Sequence, residues 1–222
     1  MAVLFDLDGT LTDPQPGIVG CVRHALEGMG ASYDGDLDWC IGPPLGPSFG
    51  LILGTDDPAT VAEALRLYRE RFAAVGLYEN RVYDGVPECL ARLREAGLPL
   101  YVATSKPLVF ARTILDHFGL APYFDGVYGS ELDGRLSLKG DLIAHLLERE
   151  RPSAPIMAGD REHDVIGARQ NGVPCIGATY GYGSPEELDE AGAVILCDSP
   201  AAVAEAALTL RDTLGLTCGY GP

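Results

Sequence analysis

The chain reads as an α/β protein, a parallel sheet covered by helices on both faces and interrupted after its first strand by an all-helical insertion. Three observations point there. From residue 84 onward short apolar runs alternate with segments of helical spacing, the order that builds parallel sheets. One further apolar run, residues 3–5, stands at the start of the chain. Between the two, residues 14–83 repeat their apolar positions at helical spacing.

The run 3–5 predicts a buried strand that ends on Asp6 and Asp8, with Gly9 behind them to permit a sharp turn. On an extended backbone residues two apart leave the same face, so the two carboxylates repel unless a cation joins them. A hard divalent ion answers that need. In the insertion, Ile18, Val22, Ala25 and Met29 mark one helix, and Val61, Leu65, Tyr68, Phe72 and Val75 another, with Pro58 near its start. The stretch 41–47, Ile-Gly-Pro-Pro-Leu-Gly-Pro, predicts a rigid, turned loop. The insertion separates the first strand from the others, so it leaves the sheet edge and returns, as a lid would.

After Asp84 and Gly85, Val86, Leu90 and Leu93 predict a helix stopped by Gly97, and 98–103 a strand. Phe110, Ile114 and Phe118 mark the next helix. Short strands are expected at 127–128, 155–158, 174–178 and 193–197, with helices at 142–147 and along Val203, Ala207, Leu210 and Leu214. Ligands of such sheets gather beyond the carboxyl ends of the strands. Three stretches fall there. Thr104, Ser105 and Lys106 follow the 98–103 strand; a hydroxyl could donate to a phosphoryl oxygen, and Ser105 could equally cap the next helix. Lys139 precedes the 142–147 helix. Asp160 and Asp164, four apart behind Gly159, straddle a loop entering a helix, which suits oxygen coordination of a small hard ion. His163 has no second His or Cys at zinc spacing and reads as structural. Tyr180, Gly181, Tyr182 and Gly183 read as a surface loop at another strand end, with a place on the rim of the site as the alternative.

At 222 residues, with 47% apolar and 22% charged content, the chain fits one globular domain with a modest insertion. Its net charge of −16 comes from 32 acidic against 16 basic residues, and no Lys/Arg cluster interrupts it. Such a surface repels nucleic acid and anionic membranes and admits a small anionic substrate only where local cations offset the field. The six cysteines follow no metal or disulfide spacing and imply a reducing, cytoplasmic setting. There is no room for a signal segment before the first strand, and no apolar run approaches a membrane span.

The run Asp6-Leu7-Asp8-Gly9-Thr10, followed in order by Thr104, Lys139 and Gly159-Asp160, resembles the motif set of the haloacid dehalogenase superfamily in its phosphatase form. The resemblance implies a Rossmann-like core of residues 1–13 and 84–214, a helical cap of 14–83 that selects substrate, and a tail of 215–222. It implies that Asp6 is the nucleophile that accepts a phosphoryl group and Asp8 the general acid and base. Gly9, Thr104, Ser105 and Lys139 would hold the phosphoryl group, with Lys106 the competing site lysine. Asp6, Asp160, Asp164 and the backbone carbonyl of Asp8 would hold Mg²⁺. The Thr-Ser-Lys-Pro run and Asp84-Gly85-Val86 bring the chain nearest to phosphoglycolate phosphatases, acting on a small phosphorylated metabolite as a monomer or homodimer. A phosphomutase of the β-phosphoglucomutase type, a 5′-nucleotidase and a pyrophosphatase share the core and stay open. A signalling receiver would not carry the acceptor on its first strand before a helical insertion, and a catalytically dead binding module would not need every position filled. The contact loop of the cap is placed at 42–45.

Overall fold

β1 (Ala2–Phe5) is covered on both faces, so its four residues run apolar without alternating with polar ones. Val3 and Phe5 pack into one hydrophobic cluster with Leu90, Leu93 and Val203, and Ala2 and Leu4 into another with Leu142, Ile143 and Val165. The computed structural model describes residues 1–217, with side chains through Thr213. After β1 come β2 (Thr12–Asp13), α1 (Gln15–Gly28), α2 (Leu45–Leu53), α3 (Pro58–Arg71) and β3 (Arg81–Val82). The rest alternates: α4 (Val86–Glu95), β4 (Leu100–Pro107), α5 (Leu108–His117), β5 (Gly126–Ser130), α6 (Lys139–Glu150), β6 (Pro155–Gly159), α7 (Glu162–Gln170), β7 (Cys175–Ala178), α8 (Pro185–Ala191), β8 (Ile195–Cys197) and α9 (Pro200–Thr217).

The sheet has six parallel strands in the order β5-β4-β1-β6-β7-β8. The chain builds outward from β1 through β4 to β5, then returns to lay β6 on the other side of β1. That reversal opens a crevice at the carboxyl end of β1, where an open α/β sheet binds its ligand.

The helices of residues 14–76 pack on one another. Ile18, Val22 and Ala25 of α1 are buried, and Gly17 lets the chain near Gly76 approach so closely that a Cβ there would lie 2.2 Å from the Gly76 carbonyl oxygen. Four details depart from the expected elements. The loop 41–47 is shorter than its proline content suggests, because α2 begins at Leu45 and takes Gly46 and Pro47 into its first turn, where a proline's missing N–H costs nothing. Past Arg71 the helix widens into a π turn, Phe72–Gly76, which rotates Val75 to solvent although its spacing grouped it with Phe72. β2 and β3 pair antiparallel, Thr12 with Val82 and Asp13 with Arg81, so the two connections to the helical segment run side by side. α8 buries only Leu188 and Ala191, too few positions to announce a helix, and is started by Ser184, whose hydroxyl accepts from the Glu187 N–H.

α9 continues through Thr217, into the stretch expected as a tail; residues 218–222 lie outside the described ones. Among the described residues no helix is long and apolar enough to cross a membrane.

Candidate active site

The turn after β1 is built around one carbonyl. The amides of Thr10, Leu11 and Thr12 all donate to Leu7 O, and Gly9 at φ +88° carries the chain through the reversal. This turn separates the two aspartates that an extended backbone would have left on one face. Asp6 joins Asp160 and Asp164, with carboxylate oxygens of all three within 4.8 Å of one another, whereas the Asp8 side chain lies apart and pairs with Lys106. The expectation of one ion shared by both carboxylates is corrected accordingly: the Asp8 carboxylate stands outside the acidic cluster.

Each cluster member is held by a different element. Asp160 follows β6 and accepts from Thr10 Oγ1 at 2.9 Å and from the Tyr182 N–H at 2.9 Å. Asp164, in the first turn of α7, accepts from the Arg161 N–H at 3.1 Å through Oδ2. Its Oδ1 lies 2.7 Å from Lys139 Nζ, off the alignment of a hydrogen bond, and has no hydrogen-bond partner. Lys139, the first residue of α6, is buried and donates to Asp6 Oδ1 at 2.8 Å and to Ala103 O at 2.9 Å. Gly167 lets α7 approach α6 there, since a Cβ would meet Lys139 Cβ at 2.8 Å. Burial opposes the Lys139 charge, but Asp164 and Asp6 together raise its pKa above the ordinary lysine value. Burial and the neighbouring carboxylates push Asp160 well up, and burial raises Asp164 against the pull of Lys139.

Three buried carboxylates thus share one ammonium. The donor set is all oxygen, and the single ammonium of Lys139, bonded to Asp6 and ion-paired with Asp164, leaves the group short of positive charge; a hard divalent cation such as Mg²⁺ fits these residues.

Lys106 owes its direction to a bulge. β4 pairs with β5 at Thr104↔Gly129 and next at Pro107↔Ser130, so Ser105 and Lys106 are extra residues thrown out of the ladder. Gly129 makes room, because a Cβ there would lie 2.7 Å from Lys106 O. Lys106 Nζ meets Asp8 Oδ2 and sits 4.7 Å from the centre of the Phe72 ring. Both candidate lysines are buried, Lys106 against Asp8 and Lys139 against Asp6 and Asp164. Burial raises the Asp8 pKa, against the pull of Lys106. Thr104 is buried and its Oγ1 accepts from the Lys106 N–H at 3.2 Å, which leaves its own proton free to donate. Ser105 does not cap α5, whose N-cap is Pro107; its carbonyl accepts from Ser130 Oγ. His163 is exposed on the first turn of α7.

The stretch 180–183 is not the plain surface loop its sequence suggests. It folds over Asp160: Tyr182 N donates to Oδ2, Gly183 N to the Asp160 carbonyl, and Tyr180 Oη to Thr10 O. Tyr182 Oη also reaches Asp13, on the β2 connection. Gly181 touches the turn so closely that a Cβ would come within 2.3 Å of Gly9 O and 2.4 Å of Asp160 Cβ. Gly181→Ala is therefore expected to weaken metal affinity about 10- to 100-fold, the usual effect of disturbing a ligand's support, read as the Mg²⁺ concentration for half-maximal activity. An unshifted Mg²⁺ dependence would show that the loop does not hold Asp160 in place.

A cavity of about 330 Å³ lies between residues 42–47, Tyr68 and Phe72 on one side and Ser105–Pro107, Phe110 and residues 130–134 on the other. Asp8 and Lys106 line it. The loop expected at 42–45 thus does face this cavity. Arg161 ties that loop to the acidic cluster, donating through Nη1 to Ile41 O at 2.8 Å and through its backbone N–H to Asp164 Oδ2 at 3.1 Å. Of the residues that support the site, Lys106 is the competing site lysine of the sequence and Thr10 closes its first motif, whereas the sequence gives Arg161 no role and hints at Tyr182 only through the aromatic-glycine repeat at a strand end.

Over residues 1–172 the chain matches the family described as haloacid dehalogenase-like hydrolase. It is 52% identical over 190 residues to a 5′-nucleotidase of Pseudomonas aeruginosa, covering 84% of this chain and 86% of that one. It is 39% identical over 218 residues to tyrosine-protein kinase PtkA of Mycobacterium tuberculosis, covering 96% and 72%. To a phosphoglycolate phosphatase of Vibrio parahaemolyticus it is 28% identical over 209 residues, covering 89% and 91%. A solved structure described as a predicted phosphatase from Clostridium acetobutylicum superposes with a TM-score of 0.90 at 45% identity, covering 94% and 98%.

Proposed function

The chain belongs to the haloacid dehalogenase-like hydrolases, as a phosphatase of that family, and from that premise we propose that it hydrolyses phosphomonoesters through an aspartyl phosphate on Asp6, with nucleoside 5′-monophosphates as substrates. The observation that carries this reading is the pairing of two lysines with two aspartates at one strand end: Asp6 with Lys139 in the acidic cluster, and Asp8 with Lys106 at the cavity.

Asp6 attacks phosphorus, the ester P–O bond breaks, and Asp8 hands its proton to the departing alkoxide. Water then attacks the aspartyl phosphate while Asp8 takes its proton, which releases inorganic phosphate and restores Asp6. A raised pKa suits Asp8 to carry a proton in the first step, and the Lys106 ammonium stabilises the carboxylate left behind. Thr104 donates to a phosphoryl oxygen and Lys139 offsets charge on Asp6. A bound Mg²⁺, held by Asp6, Asp160, Asp164 and the backbone carbonyl of Asp8, would neutralise the phosphoryl oxygens and orient them. The helical segment 14–83 serves as the cap that shields this chemistry from bulk water.

The substrate follows from what the cavity lacks. Phosphoglycolate would bring a second anion, yet of the lining cations Lys106 is engaged by Asp8, and Arg69, which donates to Leu132 O at 3.0 Å, is left to face it together with Glu131 and Asp133. Tyr68, Phe72 and Phe110 offer instead an apolar, aromatic surface to an uncharged leaving group. The relative named a 5′-nucleotidase is also far more similar than the one named a phosphoglycolate phosphatase. We place the enzyme in the cytoplasm, in keeping with Cys21, Cys40, Cys89, Cys175 and Cys197, which are free and buried.

The test is kcat/KM for nucleoside 5′-monophosphates, phosphoglycolate and pyrophosphate, with Mg²⁺ and after chelation. Nucleotide hydrolysis that is Mg²⁺-dependent and at least about tenfold more efficient than that of phosphoglycolate is expected, a difference of one good hydrogen bond or ion pair. Preference for phosphoglycolate would overturn the substrate; full activity after chelation would overturn the metal.

A further inference from the structure

Tyr68 falls at an apolar position of α3, and its ring behaves as one. It is 4% exposed, stacked on Phe72 at 5.3 Å and 15°, and met edge-on by Phe49 at 6.2 Å. Phenylalanine would pack equally well in such a place. The hydroxyl is what needs a reason: it bonds to no described residue, yet it is not one of the fully buried partnerless atoms, so it keeps access to the cavity that the residue lines. Among the described residues nothing accepts the Tyr68 hydroxyl, and the residue lines the 330 Å³ cavity together with Asp8. Burial pushes its phenol pKa well up, with the charges of Cys21 and then Asp8 acting in the same direction. Asp8 Oδ1 is likewise buried and unpaired.

Two unpaired polar groups, one a donor and one an acceptor, therefore border the same space. Of the other polar side chains there, Lys106 is bonded to Asp8 and Ser130 to Ser105 O, while Arg69 donates to Leu132 O from the opposite wall. We propose that Tyr68 is a specificity residue whose hydroxyl donates to an oxygen acceptor on an uncharged leaving group, such as a sugar ring or hydroxyl oxygen of a phosphate monoester. The assignment rests on the phosphomonoesterase reading of the same cavity. Phe49 and Phe72 clamp the ring, so the donor is oriented before substrate arrives, and a leaving group without an acceptor must strand it.

The experiment compares wild type and Tyr68→Phe on adenosine 5′-monophosphate, whose leaving group is rich in oxygen acceptors, and on phenyl phosphate, which has none beyond the ester. The ratio of kcat/KM for the two substrates is expected to fall roughly tenfold in Tyr68→Phe, the loss of one hydrogen bond, with the change carried by KM for the nucleotide. Thermal stability should hold or rise, since the hydroxyl removed was unpaired. An unchanged ratio in an active variant, or a lowered Tm with both substrates affected alike, would overturn the assignment of Tyr68 alone. A wild-type protein that releases phosphate from neither ester in Mg²⁺ would overturn the phosphomonoesterase reading and this proposal with it.

Discussion

Asp6→Asn is expected to abolish phosphate release while leaving the protein folded. The carboxamide fills the same volume at the end of β1 but cannot form an acyl phosphate of comparable reactivity, so kcat should fall by roughly 10⁴-fold or more, as when a nucleophile is removed from a covalent mechanism. Stability should behave differently. Asp6 is one of three buried carboxylates within 4.8 Å that repel each other, and Lys139 keeps its ion pair with Asp164 when the Asp6 charge is gone. The metal-free variant should therefore unfold at a Tm no more than a few degrees below wild type, while the stabilisation conferred by added Mg²⁺ shrinks because one of its oxygen ligands has lost its charge. Single-turnover phosphate release and thermal melts with and without Mg²⁺ check both halves. Retention of more than about a tenth of wild-type kcat would remove Asp6 from the nucleophile's role, whatever its effect on metal binding.

The same cluster shows what a sequence can and cannot disclose. Residues 3–5, 155–158 and 174–178 were legible as strands because a sheet buried on both faces demands unbroken apolar runs. Asp6, Asp8 and Asp160 were legible because each stands just behind such a run, and Asp164 because it lies four residues past Asp160 where the loop enters a helix. What stayed hidden depends on contacts made across the chain. Thr10 and Tyr182 reach Asp160 from 150 and 22 residues away, and neither the Asp-Leu-Asp-Gly-Thr run nor the aromatic-glycine loop discloses that contact by itself. Lys106 is aimed by a bulge whose existence depends on how β4 meets β5, and a register irregularity leaves no periodicity to read. Lys139 was placed at the site only through motif order, since a lysine opening a helix is ordinarily solvated; burial against two carboxylates is a tertiary fact. Tyr68 illustrates the opposite error. Its ring obeys the helical period so well that the hydroxyl went unremarked, because periodicity reports which face is apolar and says nothing about one polar atom at the edge of that face.

Lys139→Met carries the largest expected effect on stability. Methionine matches the length of the lysine stem, so packing between α6 and α7 is largely kept and the change removes chiefly the ammonium. What remains is Asp6, Asp160 and Asp164, all buried, with no cation among them. Removing one partner of a buried ion pair costs about 3–5 kcal/mol, and here two pairs lose the same partner. In the absence of metal the denaturant midpoint should fall accordingly; with Mg²⁺ much of the loss should return, because a divalent ion supplies the charge that the lysine no longer does. The pH dependence has a definite sign. Asp160 and Asp164 have folded pKa values above their unfolded ones, so the native state binds more protons than the unfolded chain between those values. Their contribution is fully present below the unfolded carboxylate value, about 3.9, and is lost as pH rises through the folded values. Without Lys139, which pulls the Asp164 pKa down, that loss must deepen. Metal-free Lys139→Met should thus lose stability more steeply than wild type as pH rises from the ordinary carboxylate range toward neutrality, and Mg²⁺ should flatten the slope. Equal metal-free midpoints for variant and wild type at neutral pH would mean that the three carboxylates do not depend on Lys139 for their compensation.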